Sequence, residues 1–355
     1  MTNSSNILHE NTIPVIFATD DGYIPYLAVA IVSLIQSASR DRHYRIHILA
    51  KEILSTDRSM LFSLVKGQEH ISLDFIDIRP YLEQYAEDFY TDGISHISTG
   101  AYYRFFIPKI FSGIYEKALY LDCDIVILND LVQLYDYDLG SHLLAATRDY
   151  GSMFSRKIGQ SITQGLGLSS PQNYFNSGIL LINIRKFEEE DTFNKLFTCL
   201  KRIKTPPCHD QDILNIVCEG RVLFLSEEWN CKSHVGRNLD VLQEKMLPEE
   251  YHAFLESRNT PKIIHYTSSD KPWNRPEPEE FDYLFWEFAR QCPYYETILR
   301  RFLHGSQSGK SSRKKPSLLS LWKYELMIRI SSGARREHYE RKKKRLLGQL
   351  KRTSS

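Results

Sequence analysis

Short apolar runs alternate with amphipathic segments along the first eighty residues, and this alternation constrains the fold most. Runs 14–19, 44–49 and 71–76 have the length and composition of buried strands. Between these runs lie segments 23–37 and 56–65, which carry apolar residues at helical spacing. Strands that alternate with helices predict a parallel sheet with helices on both faces, whose ligand crevice lies at the carboxyl ends of the strands.

Later segments continue this α/β pattern, and one domain is expected over residues 1–304. No G-x-G-x-x-G sequence follows the first apolar run, so a dinucleotide-binding fingerprint is absent. We expect further strands at 143–147, 175–184, 221–225 and 262–266, and helices at 100–111, 187–203, 209–217 and 279–300.

The run 117–130, KALYLDCDIVILND, places two carboxylates at the end of an apolar strand. In an extended backbone Asp122 and Asp124 point to one face, about 6.6 Å apart, while Cys123 points to the other. Most Asp-X-Asp pairs are solvated loop acids or helix caps. Here the apolar flanks favour a second interpretation, in which the two carboxylates hold Mg²⁺ or Mn²⁺ and the ion binds a nucleotide diphosphate.

Several polar side chains stand beside other predicted elements, and each has a structural as well as a functional interpretation. Arg104 is either an ion-pair partner within an aromatic helix or a diphosphate contact. Asn176, at the mouth of a strand, is more simply explained by local backbone hydrogen bonds. Asp210 and Asp212 suit the first turn of a helix, although capping explains one acid better than two with Gln211 between them.

His265 ends a predicted strand, and Lys271 follows six residues later. A histidine at a strand end is more often a core or surface imidazole than a metal ligand. If it joins the two acids of the Asp-X-Asp pair, two carboxylates and one imidazole leave open metal positions that suit a bridging diphosphate. Lys271 would then place an ammonium group against a phosphate.

Six stretches occur in this order along the chain: FATDDGY (17–23), HISTGAYYRF (96–105), YLDCDIVI (120–127), FNSGILLIN (175–183), DQDILN (210–215) and HYTSSDKPW (265–273). With them the chain resembles glycosyltransferase family 8, which includes bacterial lipopolysaccharide galactosyl- and glucosyltransferases and glycogenin. The resemblance spans residues 14–273. It implies a single Rossmann-like nucleotide-sugar-binding domain of the GT-A type and a retaining transfer that keeps the α configuration of the donor.

The resemblance also implies a role for each matching residue. Asp122, Asp124 and His265 would hold Mn²⁺ or Mg²⁺. The donor would be UDP-glucose or UDP-galactose, and His96 and Asp149 would lie toward a glycan or glycolipid acceptor. The nucleotide would contact Ala18, Thr19, Asp20, Tyr23, Asp122, Cys123 and Lys271, and the donor sugar would contact Arg104, Asn176, Asp210 and Gln211.

The same resemblance places Gln211 nearest the reacting face of the donor sugar, and an amide is a poor nucleophile. A front-face substitution through an oxocarbenium-like state is therefore the first hypothesis, with the leaving diphosphate helping to deprotonate the acceptor hydroxyl. A double displacement, with Asp210 or Asp212 as the transient nucleophile, is the alternative.

The C-terminal residues are basic, whereas the rest of the chain is acidic. Residues 305–355 contain 15 Lys and Arg against 3 Asp and Glu, so the chain's net charge of +1 hides a body of −11. Residues 305–316 have linker composition, and 317–355 mix apolar residues with basic clusters. This predicts a helical tail on the anionic inner face of the cytoplasmic membrane. A tail docked on the body, a solvated charge run and nucleic-acid binding are the alternatives, and an acidic body disfavours the last.

The chain has no secretory-type N-terminus and no run of 18 apolar residues, and its six cysteines lack disulfide-like spacing. We therefore expect a cytoplasmic protein that contacts the membrane peripherally. Two other functions stay open. A Mg²⁺-dependent nucleotidyl- or phosphotransferase would leave 210–212 and 265–273 without a role, and a non-catalytic sugar-nucleotide binding protein would bind UDP-sugars without turnover.

Overall fold

Two sheets organise the computed structural model, which describes residues 11–85, 88–89, 99–155, 159, 162, 165–267, 271–275, 277–308, 340 and 343. The strands are β1 (Thr12–Ala18), β2 (His43–Ala50), β3 (Ile71–Asp77), β4 (Lys117–Leu121), β5 (Ile125–Ile127), β6 (Leu144–Ala146), β7 (Ile179–Asn183), β8 (Val222–Phe224), β9 (Cys231–Lys232) and β10 (Ile263–His265). The main sheet has the strand order β3-β2-β1-β4-β7-β6-β8, and a small sheet has the order β5-β10-β9.

Helices and apolar cores cover both faces of the main sheet. Along β1, Val15 and Phe17 pack into one core and Ile16 packs into the other, as side-chain alternation in a strand requires. The helices are α1 (Ile24–Ser37), α2 (Ser55–Val65), α3 (Arg79–Leu82), α4 (Ile107–Phe111), α5 (Val132–Tyr135), α6 (Tyr150–Phe154), α7 (Ile184–Glu189), α8 (Thr192–Ile203), α9 (Asp210–Val217), α10 (Leu239–Lys245), α11 (Pro248–Asn259), α12 (Asp282–Ala289) and α13 (Tyr295–Ser308).

The predicted α/β fold with a mostly parallel central sheet is confirmed. Neighbouring strands of the main sheet run parallel except at β7, which is antiparallel to both β4 and β6. Leu27, Ile31 and Leu34 on α1 are fully buried in one of the two cores. Each such side chain stabilises the packed sheet by about 1.5–3 kcal/mol relative to leaving it exposed.

Three predicted helices differ from the observed ones. The helix expected at 187–203 is wrong, because α7 and α8 are separated by Asp191, whose backbone is left-handed with φ of 52°. The helix expected at 279–300 is also wrong, because it breaks between α12 and α13, where Pro293 lacks the N–H group that a helix interior needs. The helix expected at 100–111 is a 3-10 segment, Thr99–Phe106, followed by α4.

The small sheet joins two distant parts of the chain. After Leu121 the backbone leaves the main sheet, and β5 pairs in antiparallel register with β10, which sets Ile125 opposite His265. The N–H group of Tyr266 donates to the carbonyl oxygen of Asp124 at 2.9 Å. This register brings residues 124 and 265 side by side.

The chain divides into two compact units, Met1–Arg300 and Arg301–Ser355, and the first contains both sheets. Helix α13 continues to Ser308, so the first four residues of the predicted linker 305–316 are helical. The rest of that linker and the predicted tail 317–355, apart from residues 340 and 343, lie outside the described residues. Within the described part of the chain, no helix is long and apolar enough to cross a membrane.

Candidate active site

A cavity of about 370 Å³ opens at the carboxyl ends of β1 and β4, next to the small sheet. This is the position at which open α/β sheets bind ligands. Among the predicted site residues, Asp149 lines a neighbouring cavity, Asp212 lines neither, and His96 lies outside the described residues. The others all line the first cavity: Ala18, Thr19, Asp20, Tyr23, Arg104, Asp122, Cys123, Asp124, Asn176, Asp210, Gln211, His265 and Lys271.

Asp122 and Asp124 lie in the turn that joins β4 to β5. The extended backbone expected for this pair is wrong, because β4 ends at Leu121 and the chain turns into the small sheet. The Asp122 N–H group donates to the Gly178 carbonyl oxygen at 2.8 Å, which joins the turn to the start of β7. One carboxylate oxygen from each acid and one nitrogen of His265 nevertheless lie within 4.8 Å of one another.

These three groups fit a divalent cation. His265 Nε2 lies 3.7 Å from Asp122 Oδ2 and 3.2 Å from Asp124 Oδ1. Apart from the His265 imidazole, Asp124 Oδ1 is buried without a hydrogen-bond partner, and a bound cation would stabilise such a carboxylate oxygen. Two carboxylates and an imidazole, leaving room for phosphate oxygens, are a donor set that suits Mn²⁺ or Mg²⁺.

Gly178 makes space for this group of ligands. A Cβ atom on residue 178 would lie 2.2 Å from His265 Cε1 and 2.7 Å from Asp122 Oδ2. Neither neighbour can easily retreat, because His265 is buried and the Asp122 backbone is hydrogen-bonded to Gly178 itself. Only glycine lets the start of β7 approach the three ligands this closely.

Lys271 supplies positive charge beside the acids. Its Nζ forms an ion pair with Asp124 Oδ2 and donates to the Tyr266 carbonyl oxygen at 2.6 Å. Burial alone would raise the pKa of Asp124, but Lys271 and His265 outweigh burial and hold this pKa well below its usual range. Asp124 is therefore ionised at neutral pH.

Arg104 is enclosed and joins two carboxylates. Its Nη2 donates to Asp122 Oδ1 at 3.0 Å, and its Nε lies 3.1 Å from Asp210 Oδ2. Its Nη1 donates to the Ser177 carbonyl oxygen, and the guanidinium lies 4.4 Å from the centre of the Tyr120 ring. The ion-pair interpretation of Arg104 is confirmed, and the same side chain also lines the cavity.

Asp210 is the first residue of α9 and is buried next to Arg104. Ser177 Oγ donates to its Oδ2 at 3.1 Å. Burial raises the pKa of Asp210 to about 6; Arg104 opposes the rise, and the nearby negative charge of Asp122 adds to it. A carboxyl group of this kind changes its protonation state close to neutral pH.

Gln211 is held by four hydrogen bonds that use the full capacity of its amide. Its Oε1 accepts from Asn176 Nδ2 and from the Ser177 N–H group, both at 3.1 Å. Its Nε2 donates to Asp149 Oδ2 at 3.0 Å and to the Tyr174 hydroxyl oxygen at 3.1 Å. Because both acceptor positions of Oε1 are occupied, Gln211 acts here as a fixed part of the cavity floor.

Asp212 points away from the cavity. Its Oδ1 accepts from the Tyr174 hydroxyl and its Oδ2 from the Cys208 N–H group, both at 2.6 Å. Burial raises the pKa of Asp212. Its bond to the chain before α9 is a capping arrangement, and to reach a donor sugar the carboxylate would have to leave both partners.

The predicted nucleotide contacts lie where β1 ends and α1 begins. Asp20 Oδ1 accepts from the N–H groups of Gly22 at 3.0 Å and Tyr23 at 3.2 Å, which fixes the turn before α1. Cys123 Sγ donates to the Ala18 carbonyl oxygen at 3.1 Å and so joins this turn to the two acids. Burial, with Asp124 adding to it, raises the pKa of Tyr23, so its phenol is neutral.

A second cavity of about 580 Å³ shares Asn176 and Thr267 with the first. Buried Lys232 on its floor donates from Nζ to the Arg148 carbonyl oxygen at 2.8 Å. Burial opposes ionisation of Asp149, but Lys232, with Gln211 and Ser152, lowers its pKa. Apolar side chains complete the cavity: Tyr150, Phe154, Val235, Val241 and Leu242.

Several residues that hold the site in place were missed in the sequence. The Tyr120 hydroxyl donates to Asp122 Oδ1 at 2.7 Å, and Asn230 Oδ1 lies 2.9 Å from His265 Nδ1. Tyr120 and Gly178 lie inside motifs already recognised, so their positions in the sequence could have identified them as site residues. Asn230 lies in a 3-10 segment, Glu227–Asn230, whose local sequence carries none.

Comparison with known proteins adds family information to this geometry. The family model described as Glycosyl transferase family 8 matches residues 14–277. A putative glycosyltransferase of Haemophilus influenzae is 30% identical over 265 residues, which cover 74% of each chain. The lipopolysaccharide 1,2-glucosyltransferase of Escherichia coli is 26% identical over 210 residues, covering 57% of this chain and 54% of that protein.

A solved structure shares the fold as well. The galactosyltransferase LgtC, in complex with donor and acceptor sugar analogs, superposes with a TM-score of 0.67 and 27% sequence identity. The match covers 79% of this chain and 96% of the LgtC chain.

Proposed function

The chain belongs to glycosyltransferase family 8, and from this membership we propose that it moves glucose or galactose from a UDP-sugar to a surface-glycan acceptor, with retention of the α configuration. The family match confirms the resemblance, and with LgtC it establishes a hexosyltransferase of the GT-A fold. One observation carries the finer proposal. Asp122, Asp124, His265 and Lys271 meet at one edge of a single cavity.

Charged side chains at this edge suit a diphosphate. Asp122, Asp124 and His265 would hold Mn²⁺ or Mg²⁺, and when bound the cation would neutralise charge on the departing diphosphate. Lys271 provides an ammonium group beside the same position. Tyr23 and Asp20, which line the same cavity, would face the uridine.

The donor sugar would lie over Asn176 and Gln211, with Arg104 and Asp210 beside it. Gln211 has no free acceptor position, and Asp212 is bound behind Tyr174, so neither is presented as a nucleophile. This arrangement supports the front-face substitution. The acceptor oxygen bonds to the anomeric carbon on the face that UDP leaves, and its proton passes to a diphosphate oxygen. Asp210 is the remaining carboxylate for the double-displacement alternative.

We place the acceptor in the second cavity. It adjoins the first at Asn176, and its floor presents the ionised carboxylate of Asp149, which can accept from a sugar hydroxyl. The apolar side chains around it suit a sugar ring or the hydrophobic part of a glycolipid. The relatives named as lipopolysaccharide glucosyltransferase and galactosyltransferase support an acceptor of this class.

The cellular location is proposed from the basic tail alone. Residues 317–355 would hold the enzyme on the anionic inner face of the cytoplasmic membrane, where a lipid-linked acceptor is available.

Purified full-length protein with Mn²⁺, assayed for UDP release against UDP-glucose, UDP-galactose and GDP-mannose, tests the function. We expect slow hydrolysis of a UDP-hexose, faster when acceptor glycans are added, and loss in Asp122→Asn. Asp136→Asn, which changes a half-exposed acid that lines neither cavity, is the matched control. Binding of UDP-hexose without turnover would instead identify a non-catalytic protein, and transfer of the nucleotidyl group would identify a nucleotidyltransferase.

A further inference from the structure

Asn230 lies behind the first cavity and contacts two of the side chains that line it. Its side chain is fully buried, at 0% exposure, in the segment just before β9. Asn230 Oδ1 lies 2.9 Å from His265 Nδ1, and Asn230 Nδ2 donates to Asn176 Oδ1 at 2.8 Å. One amide therefore connects a predicted metal ligand with a predicted donor-sugar contact.

Backbone N–H groups determine which way these amides face. The Gly178 N–H group can only donate, and it donates to Asn176 Oδ1 at 3.0 Å, so the Asn176 oxygen is the atom that faces Asn230. Asn230 must turn its Nδ2 toward that oxygen. Its Oδ1 then faces His265.

The same chain of bonds sets the tautomer of His265. Because Asn230 Oδ1 can only accept, Nδ1 must carry a proton, and in the neutral imidazole that binds a cation this is the only ring proton. Nε2 then presents a lone pair toward Asp122 and Asp124, 3.7 and 3.2 Å away. An imidazole in this tautomer is a ligand for a cation between the two acids, whereas the other tautomer is not.

We propose that Asn230 is a positioning residue that fixes the metal-binding tautomer of His265 and, through its second bond, the orientation of Asn176. The role of Asn230 toward His265 rests on the cation site, and its role toward Asn176 rests on the proposed function. Residues that orient metal ligands in this way typically contribute 10- to 100-fold to metal affinity. Asn230 would thereby align the cation with the sugar-facing amides of Asn176 and Gln211.

Two substitutions separate the two bonds. Asn230→Ala removes both, so Mn²⁺ alone, measured by electron paramagnetic resonance of the free ion, should bind about 10- to 100-fold more weakly. Asn230→Asp keeps an acceptor for the Nδ1 proton but offers no donor to Asn176. Its Mn²⁺ affinity should stay within about threefold of the native value, while UDP-hexose turnover at saturating Mn²⁺ falls by at least about tenfold.

Asn183→Ala is the matched control. Asn183 is also a buried asparagine, but its bonds to the Lys186 N–H group and the His142 carbonyl oxygen lie at the start of α7, away from the cavity. We expect it to lower the free energy of unfolding and leave Mn²⁺ affinity unchanged.

Three results would overturn the proposal. Asn230→Ala could bind Mn²⁺ as tightly as the native protein does, or the Ala and Asp variants could lose the same amount of Mn²⁺ affinity. The third result is that the native protein binds no Mn²⁺. If Asn230→Ala does not fold, imidazole ¹⁵N spectra of the native protein saturated with Mg²⁺ show which ring nitrogen of His265 carries the proton. A proton on Nδ1 is expected, and a proton on Nε2 refutes the proposal. If Mn²⁺ binding depends on Asn230 but no UDP-hexose is turned over, the proposed function fails and the tautomer assignment stands.

Discussion

Gly178 is the residue at which one added methyl group should disrupt the cation site. In Gly178→Ala the new Cβ would meet His265 Cε1 at 2.2 Å and Asp122 Oδ2 at 2.7 Å, so the ligands or the start of β7 must shift. We expect Mn²⁺ affinity to fall by at least about tenfold, since a displaced ligand no longer binds the ion. Titration of the metal-free variant and of the metal-free native protein with Mn²⁺ measures this difference in affinity.

Gly113→Ala provides the comparison for this experiment. Gly113 has φ of +68° and open space around it, so alanine there costs backbone strain of about 1 kcal/mol and no contact at the site. Its Mn²⁺ affinity should match that of the native protein. Equal affinity in the Gly178 and Gly113 variants would show that the approach of β7 to the ligands is unimportant.

Asp210 predicts a pH dependence of stability. Its pKa is raised from 3.8 to about 6, first by burial and further by Asp122, so the folded state holds a proton that the unfolded state releases. Its stabilising contribution is present below pH 4 and is lost as the pH rises through about 6. The neutral variant Asp210→Asn should therefore gain up to about 3 kcal/mol relative to the native protein across that interval.

Urea unfolding of both metal-free proteins at pH 4, 5, 6 and 7 measures this difference. A difference that is constant across the series would mean that Asp210 has an ordinary pKa in the folded protein. The ion pair with Arg104 exists only while Asp210 is ionised, so its effect is already contained in the raised pKa of Asp210 and adds no separate trend.

At the scale of elements, Asp212 in the first turn of helix α9 accepts a hydrogen bond from the Cys208 N–H group, which lies just before the helix. Asp212→Ala should lower the free energy of unfolding by about 1–3 kcal/mol, because the Tyr174 hydroxyl and the Cys208 N–H group both lose their buried acceptor. Mass spectrometry of protein incubated with UDP-hexose should find no sugar on Asp212. A trapped glycosyl-Asp212 would contradict the front-face hypothesis.

The sequence predicted the main sheet better than the small one. β1, β2 and β3 are seven or eight residues long, and their periodicity was unambiguous. β10 was expected within the strand 262–266, but β5 and β9 have three and two residues, too few for a pattern. The turn between β4 and β5 was therefore taken as extended strand, although the two acids in it and His265 were correctly expected to lie together.

Side chains behind the cavity could not be predicted for a related reason. Asn230 matters through its distance to His265 and Asn176, which are remote in the chain, and nothing in its neighbouring residues reports that distance. Asn176 and Gln211, in contrast, stand at the ends of recognisable elements. Motifs identify side chains that face a ligand more readily than those that hold them in place.

At the scale of the whole molecule, the acidic body and the basic tail predict separate tasks. Deletion of residues 309–355, which keeps α13 intact to Ser308, should move the protein from the membrane to the soluble fraction. Binding to vesicles containing phosphatidylserine should fall, since each basic residue near such a surface contributes about 1 kcal/mol. If the shortened protein still floats with these vesicles as the native protein does, residues 309–355 do not mediate membrane binding.

The central claim is that Asp122, Asp124 and His265 hold one cation on which a nucleotide diphosphate binds beside Lys271. Calorimetric titration of UDP into the native protein and into His265→Ala, each with and without Mn²⁺, tests it most directly. The native protein should bind UDP at least about tenfold more tightly with Mn²⁺ than without, and His265→Ala should lose that gain. Equal enhancement by Mn²⁺ in both proteins would contradict the account.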